Sequence, residues 1–342
     1  MSLPAAGGRE LKLPLFTLQR GVTLPEARLV YQTHGELNAR RSNAVLYPTS
    51  YGAQHPDLEW LIGPGKILDT TRYFVIACNM FGNGLSSSPS NLPEPFAGTL
   101  RATFTHTDNL AAQHRLVVDE LGIERLALVY GWSMGGQQAL HWAVRHPERV
   151  ERVVAICATA RTSPHNRVFL EGLRSTLQAD PHWTGERFAG RPLAGLRAFA
   201  RVYAGWALSQ EFYRDELWRG AGYSSLEDFL LRDWEGGFLR RDPANLLSMI
   251  ETWLQSDVSD NPVHRGDLKR ALAGIRARTL LIPARSDLYF TEADIRADAG
   301  LIPGCQIAPL ISAWGHRAGN PLKSPADAEF LSSMVHKLLQ EG

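Results

Sequence analysis

Residues 126–150 read LALVYGWSMGGQQALHWAVRHPERV. The apolar run Leu126, Ala127, Leu128, Val129, Tyr130 breaks at Gly131 and is followed at once by residues with helical spacing, so the stretch reads as strand, tight turn and helix. Ser133 sits in the turn, inside Gly131-Trp132-Ser133-Met134-Gly135, a G-x-S-x-G nucleophile elbow. Side chains at the two flanking glycines would collide with the neighbouring strand and helix, and Gly136 lets the backbone run closer still. The first turn of the helix leaves N–H groups without internal partners, and its dipole places partial positive charge beside Ser133. The Met134 N–H is therefore expected as the first donor to an oxyanion formed there.

The 342 residues, 44% of them hydrophobic, suffice for one large α/β core with an insertion. A net charge of +1 without a basic cluster points away from nucleic acid and anionic membrane surfaces. No apolar run reaches the length of a membrane span. The start, MSLPAAGGRELKLPLF, lacks a basic segment followed by an apolar core, so no secretory signal is expected and the cytoplasm is the expected compartment. Cys78, Cys157 and Cys305 are odd in number and lie in or beside apolar runs, which suits buried thiols rather than a disulfide framework. No Cys or His pair has zinc-site spacing, so no metal and no cofactor are expected.

Taken in order, residues 13–37 read as two strands, the second at 27–33, forming an antiparallel edge. NAVLYPTS (43–50) and RYFVIACNM (72–80) read as buried strands, separated by a Gly- and Pro-rich loop. Phe81-Gly82-Asn83-Gly84-Leu85-Ser86 tempts a dinucleotide reading, but the third glycine is missing and Pro89, Pro93 and Pro95 forbid the needed helix. Asp108 is read as the cap of a helix leading into the elbow strand. VVAICA (153–158) is the next strand.

Strands then stop for about a hundred residues, far beyond the usual spacing in α/β units. Helices are expected at 168–177, 196–210, 225–234 and 242–255, and five of the nine tryptophans fall in the stretch that these helices span or in the segments between them. Strands resume at 278–283 and 306–311, and a helix at 326–339 closes the chain. The expected fold is therefore α/β, a mostly parallel doubly wound sheet of the α/β-hydrolase type with an inserted helical cap. Residues 1–160 would form the N-terminal part of the core, 161–270 the cap, and 271–342 the C-terminal part of the core.

A serine hydroxyl needs a base within reach, itself oriented by a carboxylate. In this fold the order is Ser, then Asp or Glu, then His. Asp287 follows the strand TLLIPARS, and His316 follows QIAPLISAW in the turn Trp314-Gly315-His316. Rival carboxylates Asp294 and Asp298 read as solvated helix positions, and His336 lies inside the last helix. The loop after the third strand should supply the second oxyanion donor, the backbone N–H of Ser50 or Tyr51.

Several long blocks resemble the homoserine O-acetyltransferase family of α/β hydrolases: NAVLYPTS, LIGPGKILDTTRYFVIACNMFGNGLSSSPSN, the elbow stretch, CATARTSPHN, SLEDFLLRDW, and SDLYF with its distant GH. The resemblance implies a cap over the core, a triad at Ser133, Asp287 and His316, double-displacement acyl transfer, and a homodimer built through the cap. It also exposes departures at the acceptor side. Family transferases carry Asp directly after the catalytic His, resembling a holder of the homoserine ammonium, where this chain has Arg317. An Arg with a Tyr seven residues later serves the homoserine carboxylate; Arg201 matches the first, and Leu208 stands at the second. The oxyanion loop His-Ala-Leu-Thr-Gly becomes Pro48-Thr49-Ser50-Tyr51-Gly52. A guanidinium in place of a carboxylate repels an ammonium, so Arg317→Asp is expected to favour homoserine.

TSYGAQH from Thr49 and NMFGNGLSSSPSN from Asn79 are similar to an acetate ester hydrolase branch of the family. The expected function is a serine esterase cleaving small acyl esters, with acetates as the expected class, through an acyl-enzyme on Ser133. The alternatives are an acyl-CoA-dependent O-acyltransferase, with acetyl-CoA as co-substrate, and a non-catalytic binding protein on the same fold.

Overall fold

The computed structural model describes residues 8–340; the first seven residues, part of the segment read for a secretory signal, lie outside them. Eight strands form one sheet: β1 (Arg9–Thr17), β2 (Thr23–His34), β3 (Ala44–Pro48), β4 (Phe74–Cys78), β5 (Leu128–Trp132), β6 (Arg152–Ile156), β7 (Arg278–Ile282) and β8 (Gln306–Ile307). Their spatial order is β1-β2-β4-β3-β5-β6-β7-β8. β1 pairs antiparallel with β2 and β2 antiparallel with β4, and every other pairing is parallel.

The central strands are buried on both faces, as helix-covered parallel strands must be. Alternate residues divide between two apolar clusters: Leu46, Val129, Val153 and Ala155 face one, and Val45, Leu128, Tyr130, Val154 and Ile156 the other. The last helix, α11 (Pro325–Gln340), covers the second face through Leu331, Val335, Leu338 and Leu339. On the first face lie α1 (His106–His114) and α2 (Met134–Arg145), with Leu110, Ala112, Leu140 and Trp142 turned inward.

Between β6 and β7 the named elements are helical: α3 (Pro164–Gln178), α4 (Leu193–Ala207), α5 (Gln210–Arg214), α6 (Leu226–Phe229), a wider π turn at Leu230–Glu235, α7 (Gly236–Phe238), α8 (Pro243–Leu254) and α9 (Leu268–Ala273). Asp242 caps α8, accepting from Ala244 and Asn245 N–H, with Pro243 at the first position. The short α5, α7 and α9 had no periodic stripe long enough to read. Buried side chains of this stretch, such as Phe169, Leu196, Phe199, Leu246, Ile250 and Trp253, share one continuous cluster with the first face of the sheet. α10 (Glu292–Ala299) follows β7.

Three expectations need correcting. Asp108 does not cap α1: Thr105 does, while Asp108, three residues on, accepts from the Thr105 N–H in a capping box and from the Gln19 N–H at 2.7 Å. Asp298 is buried rather than solvated; it accepts the Ala160 N–H at 2.7 Å, and burial pushes its carboxyl up to about 6. The strand expected at 306–311 pairs over only Gln306 and Ile307, because Pro309 has no N–H to donate, and continues as a bridge from Leu310 to Ala284.

Strand order sets the site. From β3 the chain leaves towards β4, and from β5 towards β6, so the connections diverge at the carboxyl ends of these adjacent strands. Such a switch point opens a crevice where ligands bind in open α/β sheets.

Candidate active site

Ser133 lies between β5 and α2 with φ +58° and ψ −129°, a conformation L residues avoid. It is locked by the Ser133 N–H donating to Ile156 O at 2.9 Å and by its carbonyl accepting from Gln137 N at 2.9 Å. The flanking glycines are demanded by contact: a Cβ on Gly131 would stand 2.1 Å from Gly135 O, and one on Gly135 would stand 2.6 Å from Pro48 O. The second of these contacts brings the end of β3 against the start of α2.

The loop after β3 is pinned to the elbow by its polar atoms. The Ser50 hydroxyl donates to Trp132 O, Gln138 Nε2 donates to Thr49 O at 3.1 Å, and the Thr49 hydroxyl accepts from Met80 N–H at 2.9 Å. The backbone N–H groups of Ser50, Tyr51 and Met134 enter no hydrogen bond among the described residues. The Tyr51 ring packs on Phe199, Tyr203 and Trp253, and its hydroxyl donates to Leu246 O at 3.0 Å. Burial holds that phenol well above its usual range.

Asp287, in the turn after β7, is 5% exposed. Its Oδ1 accepts from the N–H of Tyr289 and Phe290 at 3.1 and 3.0 Å, which fixes the carboxylate plane. Oδ2 is then left for His316 Nδ1, 2.6 Å away. His316, itself 2% exposed, stands on the short 3-10 turn Gly315–Gly319. Gly315 makes that turn possible: φ is +55°, and a Cβ would meet Ala207 O at 2.8 Å. The Trp132 Nε1–H donates to His316 O at 3.1 Å, and the imidazole packs against the rings of Trp132, Tyr289 and Phe290. These contacts leave His316 Nε2 buried without a partner.

No hydrogen bond joins Ser133 Oγ to Nε2 in this structure; Trp132, which precedes the serine in sequence, touches both ring and carbonyl of His316 and so ties the elbow to the His316 turn. Catalytic hydrogen bonds are often open in ligand-free enzymes and tighten on the substrate.

The residues expected at the acceptor side divide. Arg201 is not delivered to the site: it extends from the outer side of α4, donates to Glu235 Oε1 at 2.6 Å and forms a bidentate pair with Glu227. Tyr203, two residues on and so roughly opposite on the helix, is the one that faces Tyr51. Leu208 is fully buried, with its Cα against Gly315, where it supports the His316 turn. Arg317 lines a cavity of about 270 Å³ with Trp132, Asp233, Trp314 and Asn320. It is not a free cation, since Nη1 pairs with Asp233 Oδ2 at 2.5 Å and the guanidinium lies 4.0 Å over the Trp234 ring. Asp233 also accepts from the Tyr223 hydroxyl at 2.8 Å.

Asp233 and Tyr289 were not singled out in the sequence, although both stand in quoted blocks, SLEDFLLRDW and SDLYF. Cys157 was read as a small buried apolar residue. It is buried, but its thiol also lies beside Asp287; burial first, then that carboxylate, push it well above the usual thiol range.

The chain matches the model of the family described as alpha/beta hydrolase fold over residues 60–316. It is 39% identical over 307 residues to the ethyl acetate hydrolase of Pseudomonas veronii, covering 87% of this chain and 86% of that one. Its structure is similar to that of the acetyl esterase MekB, with a TM-score of 0.94 and 36% identity over 98% and 97% of the two chains. It is also 36% identical over 311 residues to a homoserine O-acetyltransferase of Rhodospirillum rubrum, covering 82% and 78%.

Proposed function

Since the chain belongs to the homoserine O-acetyltransferase-like α/β hydrolases, we propose that it is an acetyl ester hydrolase that works through an acyl-enzyme on Ser133, with Asp287 and His316 completing the triad. The observation that carries the reading is the buried Asp287–His316 pair at 2.6 Å, whose free Nε2 stands in a wall shared with the elbow residue Trp132.

His316 Nε2 takes the proton as Ser133 Oγ attacks the ester carbonyl, and Asp287 holds the tautomer that leaves Nε2 unprotonated. The oxyanion accepts from Met134 N–H and from Ser50 or Tyr51 N–H, a role supported by the absence of any other hydrogen bond from these groups among the described residues. His316 then gives its proton to the departing alkoxide, and water repeats the sequence on the acyl-enzyme. Large buried aromatics, Tyr289 against the base and Phe169, Trp253 and Tyr203 packed on Tyr289, favour a short acyl group. The P. veronii relative is named for ethyl acetate, which supports acetate as that group.

A fluorophosphonate probe should label the folded protein and fail on Ser133→Ala. p-Nitrophenyl acetate and ethyl acetate should be hydrolysed faster than CoA is released from acetyl-CoA with L-homoserine. Homoserine-dependent release that outruns ester hydrolysis would favour acyl transfer instead. We further propose a cytoplasmic homodimer paired through residues 161–270, on which Leu193, Leu226 and Leu231 are exposed; light scattering of wild type against Leu226→Lys/Leu231→Lys tests the pairing.

A further inference from the structure

Three unlike donors meet behind the catalytic histidine. Cys157 Sγ, a carboxylate oxygen of Asp287 and a ring nitrogen of His316 all lie within 4.8 Å of one another, and all three residues are buried. The sequence separates Cys157 from Asp287 by a whole crossover, so no spacing motif marks the set. The sheet assembles it. Cys157 directly follows β6, with φ +47° and its N–H on Ile282 O at 2.9 Å, which ties it to the end of β7. Asp287 leaves the same strand end, with Oδ1 fixed by two backbone N–H groups and Oδ2 on His316 Nδ1.

We propose that Cys157, Asp287 and His316 form a binding site for a thiophilic divalent cation such as Zn2+, and that its occupation switches the hydrolase off; the second half rests on the triad reading above. Sulfur, imidazole nitrogen and carboxylate oxygen form a donor set that suits Zn2+. Bonds of about 2.0–2.3 Å in a tetrahedron set donor atoms roughly 3.3–3.6 Å apart. The Asp287–His316 contact opens to that range, and the thiol closes to it. A thiolate and a carboxylate also neutralise the ion, which a buried position requires.

On binding, the Cys157 S–H bond breaks and its proton passes to solvent, while metal–sulfur, metal–oxygen and metal–Nδ1 bonds form. Nδ1 can bind only through its lone pair, so the single proton of the neutral imidazole moves from Nδ1 to Nε2. No electrons are transferred. Nε2 then has no lone pair to offer the Ser133 hydroxyl, and Asp287 no longer orients the ring. Three protein donors leave the fourth position to water.

The test compares wild type, Cys157→Ala, Cys157→Ser and Cys305→Ser, each hydrolysing p-nitrophenyl acetate after incubation with Zn2+ and normalised to its own metal-free rate. Cd2+ is added in parallel, and its thiolate charge-transfer absorption reads binding without reference to activity. The expected result is at least about tenfold inhibition of wild type and Cys305→Ser, reversed by EDTA. Both of these proteins should show the Cd2+ band, and both Cys157 variants should lose band and inhibition. If Cys157→Ala fails to fold, Cys157→Ser decides, since its hydroxyl keeps the volume but binds such ions poorly. Absence of the wild-type band, or equal inhibition of a folded Cys157 variant, overturns the proposal. A band without metal-free esterase activity would keep the cation site and sink the triad reading.

Discussion

At the scale of single residues, the site depends on which atoms are left without partners. Asp287 spends Oδ1 on two backbone N–H groups and Oδ2 on His316 Nδ1, so Nε2 is the imidazole atom that remains to act. Asp287→Asn keeps the shape but offers an amide that stabilises the wrong tautomer and cannot balance an imidazolium. Its kcat for p-nitrophenyl acetate should fall by about 10⁴ with the far-ultraviolet dichroism unchanged; a loss under tenfold would remove Asp287 from the triad. Arg317 teaches the opposite lesson, because its charge is already matched by Asp233 at 2.5 Å. Arg317→Asp would set two carboxylates together, so the sign argument made from sequence is better tested with Arg317→Ala, which frees Asp233 to face the cavity. Homoserine-dependent CoA release from acetyl-CoA should rise, with ester hydrolysis kept within about tenfold, or about 1.4 kcal/mol. A fall in homoserine turnover would show that this cavity does not admit the acceptor.

At the scale of elements, buried hydrogen bonds hold loops that carry no regular structure. Asp298 in α10 accepts the Ala160 N–H and so ties the chain leaving β6 to the helix that follows β7. Burial raises its carboxyl from 3.8 to about 6. A raised acid binds its proton more tightly in the folded state, so this group costs no stability below the unfolded value and progressively more as pH rises from 3.8 towards 6. The shift corresponds to roughly 3 kcal/mol at neutral pH. Asp298→Asn keeps an acceptor and cannot ionise; its urea midpoint should exceed that of wild type at pH 7.5 and converge with it near pH 4. Asp108, also raised by burial, acts in the same direction in both proteins, so the difference between them isolates Asp298. A variant less stable than wild type at pH 7.5 would mean that the carboxylate's hydrogen bond outweighs its desolvation.

At the scale of the whole molecule, what the sequence revealed follows from the range of the interactions concerned. Strands buried on both faces appear as apolar runs, and the strand–turn–helix of the elbow and the cap of α8 are local, so these could be read directly. Arg201 with Glu227 and Glu235, Arg317 with Asp233, and Ala160 with Asp298 are partners 26 to 138 residues apart; only the folded chain brings them together, and a charged side chain in isolation reads as solvated. The same long-range packing makes residues 161–270 part of one apolar cluster with the sheet, through Phe169, Leu196, Phe199 and Trp253. A segment whose buried face is completed by the core has little to hold it folded alone. Urea unfolding should therefore show one transition, with loss of esterase activity, tryptophan fluorescence and far-ultraviolet dichroism superimposed. Five of the nine tryptophans lie in that segment, so fluorescence reports on it preferentially. A fluorescence transition at clearly lower urea than the dichroism would mean that the helices of residues 161–270 unfold first. The aromatic contacts of Tyr51 with Phe199, Tyr203 and Trp253 would then be a weak seam rather than part of a single core.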